Sequence, residues 1–361
     1  MNEALLPTIL HHKYSVEDGH VMAQIRNVEG YRGVLVTKSS KELRPGAPMA
    51  QVLPLKQLRA NPQLLERLRV AGMHVHHGTL ASPFLFLKEM YGVPMFVGFR
   101  GNDATAYPKK DQEYRRELRK LFQVVDRFFP VCEHLKKEIV RLGCPEDRIR
   151  VLYGGVDLSR FEFRPRAVED GKKIRFLAVG RFVEKKGFDD LIRAFAEVKR
   201  RRGNVKLVLI GQGPCESSYR KLIKRLGLER DVQLKGWVDY REIQGLYYRS
   251  HVFCAPSVTD REGNQEGIPN TLKEAMATGM PVVSTTHAGI PELVDASVSG
   301  LLVPERSPAK LAEAMTWLAE HSERWKELGG NARRKVEKDF NLSVQLKKQK
   351  GFYDEVVERR P

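Results

Sequence analysis

The sequence predicts an α/β protein made of two doubly wound, Rossmann-like domains, and three observations carry that expectation. The chain has 361 residues, against roughly 100 to 200 for an ordinary domain, so two domains fit its length. From residue 174 onward, short apolar runs alternate with amphipathic stretches, as the strands and crossover helices of a parallel sheet do. Between the halves lies a polar segment, residues 157–173, whose Pro165 and Gly171 mark a linker.

In the N-terminal half the strand candidates are residues 33–39, 73–78, 93–99 and 148–154, with helices near 62–70, 83–90, 113–128 and 133–142. The pattern is clearer in the C-terminal half. There the strands fall at 174–180, 205–211, 232–236, 252–257, 281–285 and 300–304, separated by amphipathic segments such as GFDDLIRAFAEVKRR and ESSYRKLIKRLG. Each strand is a nearly unbroken apolar run, as expected when both faces of a sheet are covered. The expected boundaries are 1–160 for the first domain and 161–340 for the second, leaving 341–361 as a C-terminal segment. Two facing domains of this kind would bind a ligand in the cleft between them, outside the carboxyl ends of their strands.

Composition narrows the class. With 42% hydrophobic and 30% charged residues and a mean hydropathy of -0.41, the chain is neither disordered nor membrane-embedded in character. No apolar run reaches the roughly 18 residues of a spanning helix. The start, MNEALLPTILHHK, has an acid at Glu3 and no basic leader, so it does not read as a signal peptide and the expected location is cytoplasmic. Cys132, Cys144, Cys215 and Cys254 form no C-x-x-C pair and read as buried thiols. The 62 basic and 45 acidic residues give a net charge of +17, which predicts attraction to an anionic partner. That excess divides almost evenly about residue 165 and follows no nucleic-acid-binding pattern, so no nucleic acid is expected.

The most informative stretch is EGIPNTLKEAMATGMPVVST, residues 266–285. Pro269 and Asn270 lead into a helix with Gly279 at its end, and Pro281 opens the next strand. The N–H groups at such a helix start suit a diphosphate, while Glu266 and Glu274 offer carboxylates to hydroxyl groups. Together they suggest a sugar phosphate, although Thr271-x-x-Glu274 taken alone reads as a capping box. A second stretch, VGRFVEKKGFDDLI, puts Arg181 and Lys186 where a strand gives way to a helix. Alone, Lys185 and Lys186 read as a solvated charged turn. A third, GQGP at residues 211–214, has Glu216 where a dinucleotide fingerprint needs its third glycine.

In this order the motifs resemble glycosyltransferase family four, the retaining nucleotide-sugar transferases of the GT-B fold with a Glu-x7-Glu motif. AGIPELV followed by GLLVP, and RIRVLYGGVDLSRF upstream, add to the resemblance, which covers residues 70–361. It implies an acceptor-side N-domain, a donor domain and a final helix, 342–357, that crosses back onto the N-domain. It implies that Arg181 and Lys186 hold the donor diphosphate and stabilise the leaving group, and that Glu266 contacts the donor sugar. Glu274 would bind the ribose, with the backbone of Gly267, Ile268, Pro269, Asn270 and Thr271 around sugar and phosphate. The backbone near Val238 would meet the base, and Gly211 would line the donor site. The implied donor is a nucleoside diphosphate sugar, UDP foremost, and the acceptor a glycan, polysaccharide or lipid-linked sugar. In that reaction the acceptor hydroxyl attacks from the leaving-group face, and neither cofactor nor metal is required.

The chain departs from the family in its N-terminal half. Many members carry His-Gly where VGFRGNDAT has Arg100. Arginine cannot serve as a base at neutral pH, so Arg100 either binds an anion or pairs structurally with Asp103. Only Gly19, in SVEDGHVMAQI, can correspond to the family's N-terminal glycine-rich loop. His74, His76 and His77 have no carboxylate partner nearby in the sequence and read as a strand end lining the cleft, with no metal expected. Asp157 is expected to order the linker turn. The 113–128 helix sets Leu118, Leu121, Phe122 and Val125 against Arg115, Arg116, Arg119, Lys120 and Arg127, which fits either a packed helix with a solvated face or peripheral, salt-sensitive contact with anionic membrane. Other readings stay open: a soluble synthase with a phosphorylated sugar acceptor, a noncatalytic sugar-nucleotide sensor, a nicotinamide-dependent dehydrogenase, and a basic nucleic-acid-binding protein.

Overall fold

The computed structural model describes residues 6–13, 19–38, 52–168 and 171–358. The leader reading at Glu3 and part of the linker therefore lie outside the described residues. The chain divides into one unit of residues 1–155 with 342–361, and a second of residues 156–341, against the boundaries at 160 and 340 expected from the sequence.

The first unit holds a parallel sheet of β1 (Thr8–His12), β2 (Arg32–Thr37), β3 (Val52–Pro54), β4 (Val70–Val75), β5 (Met95–Phe99) and β6 (Arg127–Pro130), in the order β3-β2-β1-β4-β5-β6. β1, β3 and β6 were not foreseen. The first of these, TILHH, ends in two histidines yet is buried along its whole length. Conversely, residues 148–154 form no strand. Arg150 and Leu152 donate N–H bonds to Phe128 and Pro130 of β6, at 2.9 and 3.0 Å. Pro130 has no N–H to return, so the ladder stays a single bridge from Phe128 to Ile149.

Helices of this unit are shorter than expected where the sheet claims their ends. The 62–70 helix shrinks to Leu64–Arg67, because Val70 already begins β4. The 113–128 helix is Gln112–Val124, with the Asp111 carboxylate accepting the Tyr114 N–H at 3.0 Å as its cap. Arg127 thus belongs to β6. The Leu342–Val357 helix packs Tyr353 into a cluster with Ile9, Val28, Tyr31, Phe96, Phe129 and Leu152.

The second unit repeats the plan with β7 (Ile174–Val179), β8 (Val205–Ile210), β9 (Val232–Lys235), β10 (Val252–Ala255), β11 (Val282–Thr285) and β12 (Leu301–Val303). Their order, β12-β11-β10-β7-β8-β9, reproduces that of the first unit, and all pairs are parallel. All six coincide with the expected strands. The Phe188–Arg201 and Pro308–Glu320 helices cover the sheet with Phe195, Val198, Leu311 and Met315, which join Phe176 and Leu207 in one buried cluster. Burying each such side chain contributes roughly 1.5–3 kcal/mol. Cys132, Cys144 and Cys254 are buried free thiols, and Cys215 is half-buried. The Asp157 carboxylate accepts the Ser159 N–H and hydroxyl at 3.1 and 2.6 Å, shaping the turn at Leu158–Arg160.

Candidate active site

In the second unit β7 and β10 are neighbours, while the chain winds away from them in opposite directions. This is the topological switch point at which open α/β sheets bind ligands beyond the strand ends. The two loops that leave it come close. Gly187, at φ +63°, has no room for a Cβ, which would run into the Pro256 carbonyl. The Val258 N–H bonds the Lys185 carbonyl at 2.9 Å.

This approach brings a carboxylate and two ammonium groups together. Lys186 Nζ lies 3.0 Å, and Lys185 Nζ 3.5 Å, from Glu266 Oε1, and the three side chains are only 10–15% exposed. Burial alone would raise the Glu266 pKa, but the charges of Lys186 and Lys185 outweigh it and hold the carboxyl at about 2. Lys186 lays its methylenes over Gly180, where a Cβ would sit 3.1 Å from Cε. The reading of Lys185 and Lys186 as a solvated turn is thus overturned, since Lys185 is buried. Arg181, just past β7, is exposed and makes no ion pair among the described residues.

The backbone of Glu266 is held separately. Its N–H donates to Nε2 of fully buried His287 at 3.0 Å, and His287 Nδ1 lies 2.7 Å from Glu305 Oε1. The other Glu305 oxygen accepts the Thr259 N–H at 2.6 Å. Glu305 is pushed up by burial but drawn below the usual carboxylate range by these partners.

Glu274 sits inside the Asn270–Ala277 helix, 1% exposed. Tyr240 donates to its Oε1 at 2.9 Å and Tyr247 to its Oε2 at 2.8 Å. Burial and then the Glu274 charge raise both phenol pKa values, so both remain donors. The expected capping box does not form. The Thr271 hydroxyl turns to the Val179 carbonyl at 3.2 Å, and Pro269 precedes the helix without a side-chain cap. Gly279 does end the helix, at φ +80°. The Arg333 and Arg166 guanidiniums bond the Ala277 and Thr278 carbonyls there at 2.8 and 3.2 Å, which suits the negative end of a helix dipole.

The segment that enters the helix, with buried Gly267 and Pro269 and half-buried Ile268, Asn270 and Thr271, lies between the two glutamates. Gly289 N–H fixes the Gly267 carbonyl at 3.2 Å. Gly211 follows β8 at φ +144°, and a Cβ there would strike the Gly180 carbonyl, so this backbone crossing needs glycine. Val238 is half-buried in the loop after β9, beside Trp237, which is 72% exposed. His287, Glu305, Tyr240 and Tyr247 escaped sequence reasoning. The one available signal was a histidine just past β11, at the same carboxyl edge of the sheet.

Arg100, Asp103 and Gly19 belong to the first unit. Asp103, fully buried, accepts the N–H groups of Arg100, Gly101 and Gly78 at 2.9–3.0 Å, so it meets Arg100 through the backbone. The guanidinium turns to His76, with Nε 2.8 Å from its carbonyl and Nη2 3.2 Å from Nδ1. Gly19 opens the Gly19–Arg26 helix, and the loop before it lies outside the described residues. His74, His76 and His77 are buried.

His74 and His76 join His11 to form a group whose ring nitrogens lie within 4.8 Å of one another. Burial first, and neighbouring charges for His74 and His76, push all three pKa values down, His11 to about 3. Neutral imidazoles can ligate a metal, but His11 Nδ1, both His76 nitrogens and His74 Nδ1 are engaged in hydrogen bonds. Arginine only donates, so His76 accepts at Nδ1 and carries its proton on Nε2, 3.0 Å from His11 Nδ1. His76 therefore has no spare lone pair. His74 Nδ1 in turn meets the Tyr353 hydroxyl at 2.7 Å. The group reads as a hydrogen-bonded polar core.

Residues 159–335 match the family profile "Glycosyl transferases group 1", and residues 20–160 match "Glycosyltransferase Family 4". The chain is 37% identical over 64% of its length to WcaL of Escherichia coli, named as a colanic acid biosynthesis glycosyltransferase, and covers 57% of it. It is 33% identical over 74% of its length to the amylovoran biosynthesis glycosyltransferase AmsK of Erwinia amylovora, covering 65% of that protein. The chain thus spans less than two thirds of these curated relatives. Among solved structures, HepE of Anabaena in complex with UDP aligns with 97% of this chain and all of its own, at a TM-score of 0.80 and 15% identity. Sucrose-phosphate synthase of Thermosynechococcus elongatus aligns with 98% of this chain and all of its own, at a TM-score of 0.76 and 17% identity. These likenesses establish the GT-B fold.

Proposed function

The chain belongs to the family-4 glycosyltransferases, and on that premise we propose that it is a retaining hexosyltransferase. It would move a sugar from a nucleoside diphosphate, UDP foremost, to a glycan, polysaccharide or lipid-linked acceptor. One observation carries the reading: a carboxylate held ionised by two ammonium groups at the switch point, directly before a helix N-terminus.

Lys186 and Arg181 bind the donor diphosphate, and Lys186 leaves Glu266 as the phosphate arrives. Glu266 is thereby released to accept hydrogen bonds from the sugar. The acceptor oxygen attacks the anomeric carbon from the face the phosphate leaves, the carbon–phosphate-oxygen bond breaks, and the acceptor proton passes to the departing phosphate. Charge develops on that leaving group, where each cation is worth on the order of 3 kcal/mol. Glu274 accepts the ribose hydroxyls, the backbone from Gly267 to Thr271 surrounds sugar and phosphate, and Gly211 with the Val238 backbone borders the nucleotide.

UDP is the first donor to test, since HepE has been solved with UDP and glucose. The names of WcaL and AmsK point toward extracellular polysaccharide assembly. Among the described residues no helix is long and apolar enough to cross a membrane, and contact with lipid-linked acceptor would be peripheral, on the cytoplasmic face. The decisive experiment is thermal stabilisation by UDP, GDP, ADP, NAD or a short single-stranded RNA. A ligand at 100 times its Kd adds about 2.7 kcal/mol. Stabilisation by one nucleoside diphosphate, lost in Glu274→Ala, supports the reading; stabilisation only by NAD or RNA overturns it.

A further inference from the structure

We propose that His287, backed by Glu305, is a positioning residue that sets Glu266 against the donor sugar; this rests on the assignment of Glu266 made above. The side chain of Glu266 is anchored by Lys185 and, more closely, by Lys186, and a bound diphosphate competes for Lys186. Once it does, Glu266 keeps its place through its backbone. There the contact is the N–H bond to His287 Nε2 at 3.0 Å.

The protons along this chain are fixed by what each partner can donate. A backbone N–H only donates, so Nε2 carries a lone pair and the imidazole proton sits on Nδ1. From there it is given to Glu305 Oε1 at 2.7 Å, while Glu305 Oε2 takes the Thr259 N–H at 2.6 Å. One histidine–carboxylate pair therefore clamps both ends of the 259–266 loop. Between them the Asp260 carboxylate accepts the N–H groups of Glu262 and Asn264 at 3.0 and 2.8 Å, closing the middle of the loop on itself. His287 is fully buried with both nitrogens committed, so it acts through Glu266 rather than on the reacting atoms. An apolar side chain at 287 would leave the Glu266 N–H without its acceptor and let the loop drift. A displacement of about 1 Å at a reacting group can cost on the order of 100-fold in rate.

The test measures UDP affinity and UDP release from UDP-glucose in His287→Ala, His287→Gln, Glu305→Gln and Glu266→Gln. UDP lacks the transferred hexose that Glu266 would contact, so His287→Ala should bind it within about twofold of wild type while kcat falls on the order of 100-fold. His287→Gln, whose amide oxygen reaches the Nε2 position, should recover part of that loss. Glu305→Gln should fall between the two, and it keeps the test alive if His287→Ala does not fold. A purely structural histidine would lower UDP affinity and kcat together, with no rescue by glutamine. If Glu266→Gln is crippled but His287→Ala and Glu305→Gln turn over normally, the clamp is wrong and the Glu266 assignment stands. If Glu266→Gln is itself fully active, or the wild type releases no UDP, the underlying reading fails.

Discussion

Lys186 places its ammonium 3.0 Å from Glu266 Oε1, so a residue assigned to the leaving phosphate and one assigned to the sugar neutralise each other before any donor arrives. Lys186→Ala should remove leaving-group stabilisation and also free Glu266 early. Turnover should drop by about 100- to 1,000-fold, with donor KM changing far less. Steady-state kinetics decides it, and a variant that loses KM alone would make Lys186 a plain binding residue.

The same pair makes acid stability predictable. The folded Glu266 pKa of about 2 lies below the roughly 4.3 of an unfolded chain. Its stabilisation is therefore complete above about pH 5 and is lost as pH falls through the folded value toward 2. The shift corresponds to on the order of 3 kcal/mol at neutral pH. Urea unfolding from pH 7 to pH 3 should show the gap between wild type and Glu266→Gln closing with acid. A constant gap would mean that the ion pair does not set this carboxyl.

How much of this arrangement could be read from the chain depends on where its parts come from. Glu266 and Glu274 stood out because they flank one helix start within a single segment. The six strands of the second unit were legible because each is a continuous apolar run. β1 was not, because His11 and His12 look polar and nothing local reveals that the sheet buries them. Tyr240 and Tyr247 share the helix between β9 and β10, His287 lies just past β11 and Glu305 just past β12, so only the parallel register of the sheet brings them to the glutamates.

Tyr247 shows what that register contributes. It is wholly buried and donates to Glu274 Oε2 at 2.8 Å, and hydrogen bonds to a charged group are worth about 1.5–3 kcal/mol. Tyr247→Phe should destabilise the second unit by about 2 kcal/mol and weaken UDP binding, since Glu274 loses one of its two phenol props. Tyr240→Phe, removing the partly exposed prop, should weaken UDP binding with a smaller loss of stability. Calorimetric melting and UDP titration separate the two, and unchanged UDP affinity in both would show that Glu274 needs neither.

Arg166 bears on stability alone. Its buried guanidinium bonds the carbonyls of Tyr247, Ser250 and Thr278 and the Thr278 hydroxyl, at 2.9–3.2 Å, and burial lowers its pKa to about 10. Arg166→Ala would strand several buried acceptors, each costing about 1–3 kcal/mol. A loss of at least about 3 kcal/mol is expected by urea unfolding, and a loss under about 1 kcal/mol would mean that water replaces the guanidinium.

The Gln112–Val124 helix offers a prediction about surfaces. Tyr114, Leu118, Leu121 and Phe122 are buried, while Arg115, Arg116 and Arg119 are exposed and Lys120 pairs with exposed Glu89 at 2.8 Å. Since the apolar face is already used in packing, any membrane contact must be electrostatic and short-ranged, with a Debye length of about 8 Å at physiological salt. Vesicles containing anionic lipid should retain the protein at low ionic strength and release it near 0.15 M salt. Arg116→Glu combined with Arg119→Glu should abolish retention while UDP stabilisation, which belongs to the second unit, stays unchanged. Retention that survives high salt would instead require an inserted apolar surface, which this helix does not have to give.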